Sequence, residues 1–163
     1  SKAFAMTGWR LGYIGAPKEI ADACNKIQGQ FTSGTCSIAQ RAAIAALDAD
    51  PREAVAPMAQ QFQKRRDLIV SLFREIPNVK VNVPQGAFYL FPGVSWYFGK
   101  SDGKTTIKDA RDLCLWLLDE AHVAITPGGA FGAPNYIRFS YATSEDKITE
   151  AARRVKTALA KLK

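Results

Sequence analysis

One long helical pattern constrains this chain more than any other feature. Val55, Met58, Phe62, Ile69, Leu72 and Ile76 recur at the spacing that puts side chains on one face of an α-helix. Asp50, Pro51 and Glu53 mark its start: the aspartate caps, the proline fills the first turn, and the glutamate reaches back from the third position. Pro77-Asn78 marks its end. A helix of about 25 residues is roughly twice the usual length in a globular protein. The pattern therefore predicts a helix that runs from one domain into another. It divides the chain into residues 1–49 and a segment 50–163 made of the helix and a small C-terminal domain.

Helix and strand signals alternate on both sides. In the first segment, LGYIGA (11–16) reads as a short buried strand closed by Pro17, followed by a helix over about 18–30. TSGTCS is a loop, and the alanine-rich IAQRAAIAALDA a second helix. In the second segment, VKVNV alternates as a half-buried strand, and GAFYLF follows the Pro84-Gln85-Gly86 turn as another. GKSDGK is a loop; residues 109–121 form a helix with Leu113, Leu117 and Ala121 on one side. HVAIT is a third strand, PGGAFGAPN a glycine-rich turn and YIRFSY a fourth strand. Thr143 and Asp146 signal a last helix whose apolar stripe is Ile148, Ala152, Val155, Leu159 and Leu162. The class is α/β: a remnant of a larger sheet domain, then a small α+β layer of three or four strands. The second segment has enough periodic apolar residues to fold alone. Residues 1–49 are expected to expose apolar surface and so to associate or stay disordered.

Several function classes are excluded. No apolar run approaches the roughly 20 residues of a bilayer span. Residues 1–17 contain Lys2 and Arg10 and no signal-peptide pattern. Cys24, Cys36 and Cys114 form no CxxC pair and His122 is the single histidine, so no metal site is expected and the cysteines read as buried free thiols of a reducing cytosol. Against 15 acidic residues stand 22 basic ones, a net charge of +7. The basic residues are dispersed, with Lys64, Arg65 and Arg66 in mid-helix and Arg153, Arg154, Lys156, Lys161 and Lys163 at the end. No aromatic residues interleave with them, so they read as solvated helix faces and not as a nucleic-acid platform.

The opening SKAFAMTGWRLGY carries the chemistry. On spacing alone, Lys2 and Arg10 are two surface residues. If residues 3–9 fold back as a turn, which Gly8 and Gly12 permit, both side chains could enter one pocket. An amine there can hold a cofactor aldehyde, and a guanidinium matches a phosphate bidentately. In YIRFSY, alternation puts Arg138 on one face with Tyr136 and Ser140, while Ile137, Phe139 and Tyr141 face the other way. An arginine so flanked needs either an anionic ligand or a buried acid.

SKAFAMTGWRLGY closely resembles the lysine segment of the class I aminotransferases, fold type I pyridoxal phosphate enzymes, most of all the bacterial aspartate aminotransferase group. GQFTSGTCSIAQRAAIAAL, KRRDLIVSLF, PQGAFYLFP, TPGGAFG and YIRFSYATSED match the C-terminal half of that family in order. The resemblance implies that Lys2 forms the Schiff base with pyridoxal 5'-phosphate and shuttles the substrate's α-proton. Arg10 would bind the cofactor phosphate, and Arg138 the substrate α-carboxylate. Ser1 adjoins the lysine without an assigned part. Gly86, Phe88 and Tyr89 resemble a substrate-side strand, though core packing explains them equally. Gly128, Gly129 and Gly132 are turn residues, and Trp9 packs beside the lysine turn.

The implied activity is ping-pong transfer of the amino group of aspartate, or a similar amino acid, to 2-oxoglutarate in a cytoplasmic homodimer. An aromatic, kynurenine or prephenate aminotransferase uses the same scaffold, and a non-catalytic binding or assembly domain is the reading from another class. The family's ring-stacking aromatic and its aspartate for the ring nitrogen precede the lysine. The chain alone, without that N-terminal half, is therefore expected to have little or no activity.

Overall fold

The last apolar stripe of the sequence makes the densest part of the core. In the computed structural model, which describes residues 1–163, Ile148, Ala152, Val155 and Leu159 on α6 (Glu145–Leu159) are all buried. They pack against α5 (Ala110–Ala121), whose Leu113 and Leu117 are wholly enclosed. Each such leucine contributes about 2 kcal/mol by leaving water. Asp109 caps α5 by accepting from the backbone N–H of Arg111 at 2.8 Å and of Asp112 at 2.9 Å. Buried Cys114 on this helix has its thiol pushed up to about 11 by burial, with Asp109 adding to it, so it is an inert core residue.

The chain falls into two units, Ser1–Ala59 and Gln60–Lys163. The second is built on three antiparallel strands in the order β1 (Tyr89–Leu90), β3 (Ile137–Ser140), β2 (Thr126–Pro127). Tyr89 pairs with Ser140, and Thr126 with Arg138. One face of the sheet carries Leu90, Ile137 and Phe139 into a core that includes Ile69, Val70 and Phe73. The Phe73 and Phe139 rings meet edge-on at 4.6 Å.

Several expectations fail here for identifiable reasons. The strand signals overreach. VKVNV forms a single bridge, Lys80 with Gly93, although Val79 and Val81 are partly buried; alternation reports which residues face the core, not whether a ladder forms. HVAIT pairs only at its end. His122 adopts the left-handed cap of α5, and the N–H groups of His122 and Val123 bond back to Leu118 and Leu117. In GAFYLF, Ala87 has φ 59°, which bends the chain away from extended geometry before β1. The last helix starts at Ser144 without a side-chain cap, so the Thr143–Asp146 signal plays no part.

The long helix is interrupted. Pro51–Ala54 form a short helix α3, and α4 runs from Ala56 to Arg74. Pro57 has no N–H for the Glu53 carbonyl, so the ladder breaks between them and the proline falls in the first turn of α4. Asp50 does cap α3, through the Arg52 N–H at 2.9 Å, while Glu53 forms no capping bond.

The first unit holds α1 (Lys18–Phe31) and α2 (Ser37–Asp48) as expected. LGYIGA, expected as a buried strand, forms no strand and is largely exposed, since this unit contains no strand for it to pair with. Ala39 is its single buried residue. Phe31 is 83% exposed and Tyr13 82%, in line with the apolar exposure the sequence led us to expect. Cys24 and Cys36 are exposed free thiols, contrary to the expectation of burial, because there is no core here to take them.

Candidate cofactor and carboxylate sites

The N-terminal segment folds back on itself. Met6 N–H bonds the Ser1 carbonyl at 2.7 Å, Ala5 N–H bonds that of Lys2 at 3.2 Å, and Thr7–Trp9 make one turn of 3-10 helix. Ser1 Oγ then donates to the Leu11 carbonyl at 3.0 Å, closing the loop. Lys2 and Arg10 thus each lie one residue inside the ends of this closed turn, where the Ser1 side chain meets the Leu11 backbone. Ser1, to which sequence reasoning gave no part, is the latch; a hydroxyl at the first residue carried no signal of that role.

Both cations stay available. Lys2 and Arg10 are exposed, and neither takes part in any of the ion pairs of the chain. Arg10 donates one guanidinium N–H to the Thr7 carbonyl at 2.8 Å, which holds the side chain over the turn and leaves its other donors free. Its backbone sits at φ 53°, ψ 57°, left-handed geometry that costs a non-glycine residue about 1 kcal/mol. Such local strain gathers where surrounding structure or function demands it. Trp9 is 49% exposed and does not pack as expected. A cleft of about 440 Å³ opens in the same unit, between Leu11, Asn25, Gln28, Gln40, Ile44 and Leu47; none of the candidate side chains lines it.

Arg138 lies in the second unit, half-buried on β3, with Ile137 and Phe139 directed to the core on either side, as alternation required. No buried acid answers it: it appears in none of the ion pairs. Its guanidinium instead lies 4.4 Å from the centroid of the Tyr89 ring and 4.4 Å from that of Phe131. Tyr89 is therefore a neighbour of the candidate anion site, while Phe88 packs inward against Phe62 at 5.6 Å. Gly86 is exposed.

Phe131 reaches Arg138 through the glycine-rich turn. Gly128–Phe131 form a 3-10 turn that Gly132 ends at φ 71°. A Cβ on Gly128 would come within 2.3 Å of the Ala133 carbonyl oxygen and 2.5 Å of that of Tyr136, so only glycine fits. The turn role expected of these glycines is what the structure shows.

An amine and a guanidinium in one closed turn form a donor set suited to a phosphorylated aldehyde, and an unpaired arginine among aromatic rings is suited to a carboxylate. Residues 1–155 match the profile of the family described as aminotransferase class I and II, and the chain belongs to that family. It is 52% identical to the bifunctional aspartate aminotransferase and glutamate/aspartate-prephenate aminotransferase of Petunia hybrida, over all of this chain and 35% of the relative. It is 45% identical to the aspartate aminotransferase of Rhizobium meliloti strain 1021, over 99% of this chain and 40% of that protein. A crystal structure of the Rhizobium meliloti aspartate aminotransferase superimposes with a TM-score of 0.94 at 42% identity, again over 99% of this chain and 40% of that one. The fold is accordingly part of the fold type I aminotransferase fold. The chain spans between a third and two-fifths of the length of these relatives.

Proposed function

We propose that the protein carrying this chain is a pyridoxal phosphate-dependent aminotransferase that moves the amino group of aspartate, or a similar amino acid, to 2-oxoglutarate. The closed Ser1–Leu11 turn, which carries both Lys2 and Arg10 with no acid paired to either, is the observation that carries this reading. When bound, pyridoxal 5'-phosphate supplies the carbonyl that captures an amino group and the ring that accepts electrons from the substrate α-carbon. Lys2 Nζ would be the amine that holds the cofactor at its aldehyde carbon and the base that takes and returns the substrate α-proton. Arg10 binds the phosphate with the donors that Thr7 leaves free. Arg138 orients the substrate by its α-carboxylate, fixing which bond of the α-carbon is presented for proton removal.

Residues 1–49 belong, on this reading, to the cofactor domain, and 50–163 to the connecting helix and small domain. The enzyme acts as a homodimer, and in the cytoplasm, where reducing conditions keep thiols such as Cys24, Cys36 and Cys114 free. No helix of the chain is long and apolar enough to cross a membrane. The 163-residue chain alone does not turn over substrate, because it spans only part of its relatives' length and its first unit leaves its apolar side chains in water. Incubating the chain with cofactor, aspartate and 2-oxoglutarate tests this point: no oxaloacetate is expected, and full activity would refute it.

Prephenate is a second candidate amino-group acceptor, favoured by the name of the petunia relative. For the intact protein, a panel of amino donors with 2-oxoglutarate and prephenate tests the reading. Transfer from aspartate supports it; no transamination with any donor overturns it.

A further inference from the structure

We propose that Phe131 and Tyr89 are positioning residues that clamp the Arg138 guanidinium by its two faces and leave its N–H edge as the surface offered to a carboxylate ligand. The inference rests on reading Arg138 as the carboxylate anchor, and extends it to the two rings beside its guanidinium. Both ring centroids lie 4.4 Å from the guanidinium carbon. β3 runs between β1 and β2, so Tyr89 approaches from the β1 side and Phe131, four residues past β2, from the other. A planar cation with a ring on each face keeps its N–H groups in the plane between them, where they can form a bidentate fork.

The clamp is buttressed on both sides. The Phe131 ring meets Phe91 edge-on at 6.2 Å, and Phe91 stacks on Tyr136 at 5.5 Å with 1° between the planes. Tyr89 lies 4.7 Å from Phe88. Gly128, which tolerates no Cβ, fixes the turn that delivers Phe131. Phe131 is 49% exposed, so it adds little to the core; a large ring kept half in water against a cation does little for stability alone. What the arrangement supplies is order: a long arginine side chain loses much rotamer freedom when it binds, and rings that hold it beforehand remove that cost from ligand binding.

Steady-state kinetics of the intact, cofactor-loaded protein test this. Because Phe131 is half-exposed, Phe131→Leu should fold. It is expected to raise KM for both the amino acid and the 2-oxo acid about fivefold, with the loss in KM and not in kcat, and Phe131→Tyr should restore it. A KM that Phe131→Leu leaves unchanged, or a fall in kcat alone, overturns the clamp. Arg138→Lys separates the two claims: if it leaves KM unchanged, the carboxylate reading fails; if it raises KM while Phe131→Leu does not, only the clamp fails. A second readout needs no activity. In nitrogen-15 spectra of the 163-residue chain, the Arg138 Nε–H proton should be shifted upfield by the two ring currents, and Phe131→Leu should remove much of that shift. An unshifted Arg138 signal in the unaltered chain also overturns the clamp.

Discussion

The two units of this chain solve the folding problem to different degrees. Gln60–Lys163 closes a core around α5, α6 and a three-stranded sheet, with Leu90, Ile107, Leu113, Leu117 and Val155 at 0% exposure. Ser1–Ala59 has two well-formed helices and one buried residue, Ala39. Composition separates them in part: Ile, Leu, Phe, Trp and Tyr are 11 of the 59 residues of the first unit and 28 of the 104 of the second, and most of those in the first are left in water. Secondary structure follows local sequence in both units, whereas a core needs faces that meet. The proposed cofactor-binding turn lies in the open unit and the proposed carboxylate arginine in the closed one.

Hydrogen exchange of the whole chain would break this comparison most readily. Amides of α5 and α6 are expected to be protected by on the order of 10³-fold or more, and those of α1 and α2 by tenfold or less. Equal protection in both units would remove the distinction. Core truncation sharpens it: Leu117→Ala should cost about 3 kcal/mol in urea unfolding, whereas Ile27→Ala, at a site 60% exposed, should cost under about 0.5 kcal/mol. Glycines give a smaller contrast. Gly128→Ala forces a clash with two carbonyls and should cost roughly 1–3 kcal/mol. Gly34→Ala, with nothing within 4 Å of its Cβ position, should be near neutral in the same unfolding experiment.

The smallest effect is a pH dependence that Asp102 gives to the second unit. Asp102 accepts from Thr105 N–H at 2.7 Å, Lys104 N–H at 2.9 Å and Trp116 Nε1 at 3.0 Å, and these bonds, the Thr105 one foremost, hold its carboxyl down to about 2. Because the folded value lies below the unfolded one, its contribution is present above the ordinary carboxylate range and is lost as pH falls toward about 2. Asp102→Asn should therefore flatten the fall in Tm between about pH 4 and pH 2. An unchanged acid limb would show that Asp102 is not responsible. Glu150, which Arg153 and Arg154 also hold to about 2, is unaltered by that substitution, so the difference between the two proteins isolates Asp102.

Much of this was legible in the sequence. The helices were, because the apolar stripes on α5 and α6 are local signals that tertiary packing reinforces. The strands were legible as faces but not as ladders: pairing at 122–127 and 86–91 was cut short by backbone at His122 and Ala87 that no periodicity reveals. The break at Pro57 was readable and was masked by the apolar repeat on either side of it. LGYIGA carries a strand's composition and has nothing to pair with in its unit. Arg138's face followed from alternation, but the rings that flank it did not, because Phe131 arrives from a turn outside the strand.

Lys2 as the cofactor-bearing amine is the claim on which the proposed chemistry depends most. The intact protein, loaded with pyridoxal 5'-phosphate, reduced with borohydride and digested, should carry the cofactor's added mass on the peptide containing Lys2, and Lys2→Arg should abolish that label. A label that sits on another lysine, or that survives Lys2→Arg undiminished, would contradict it.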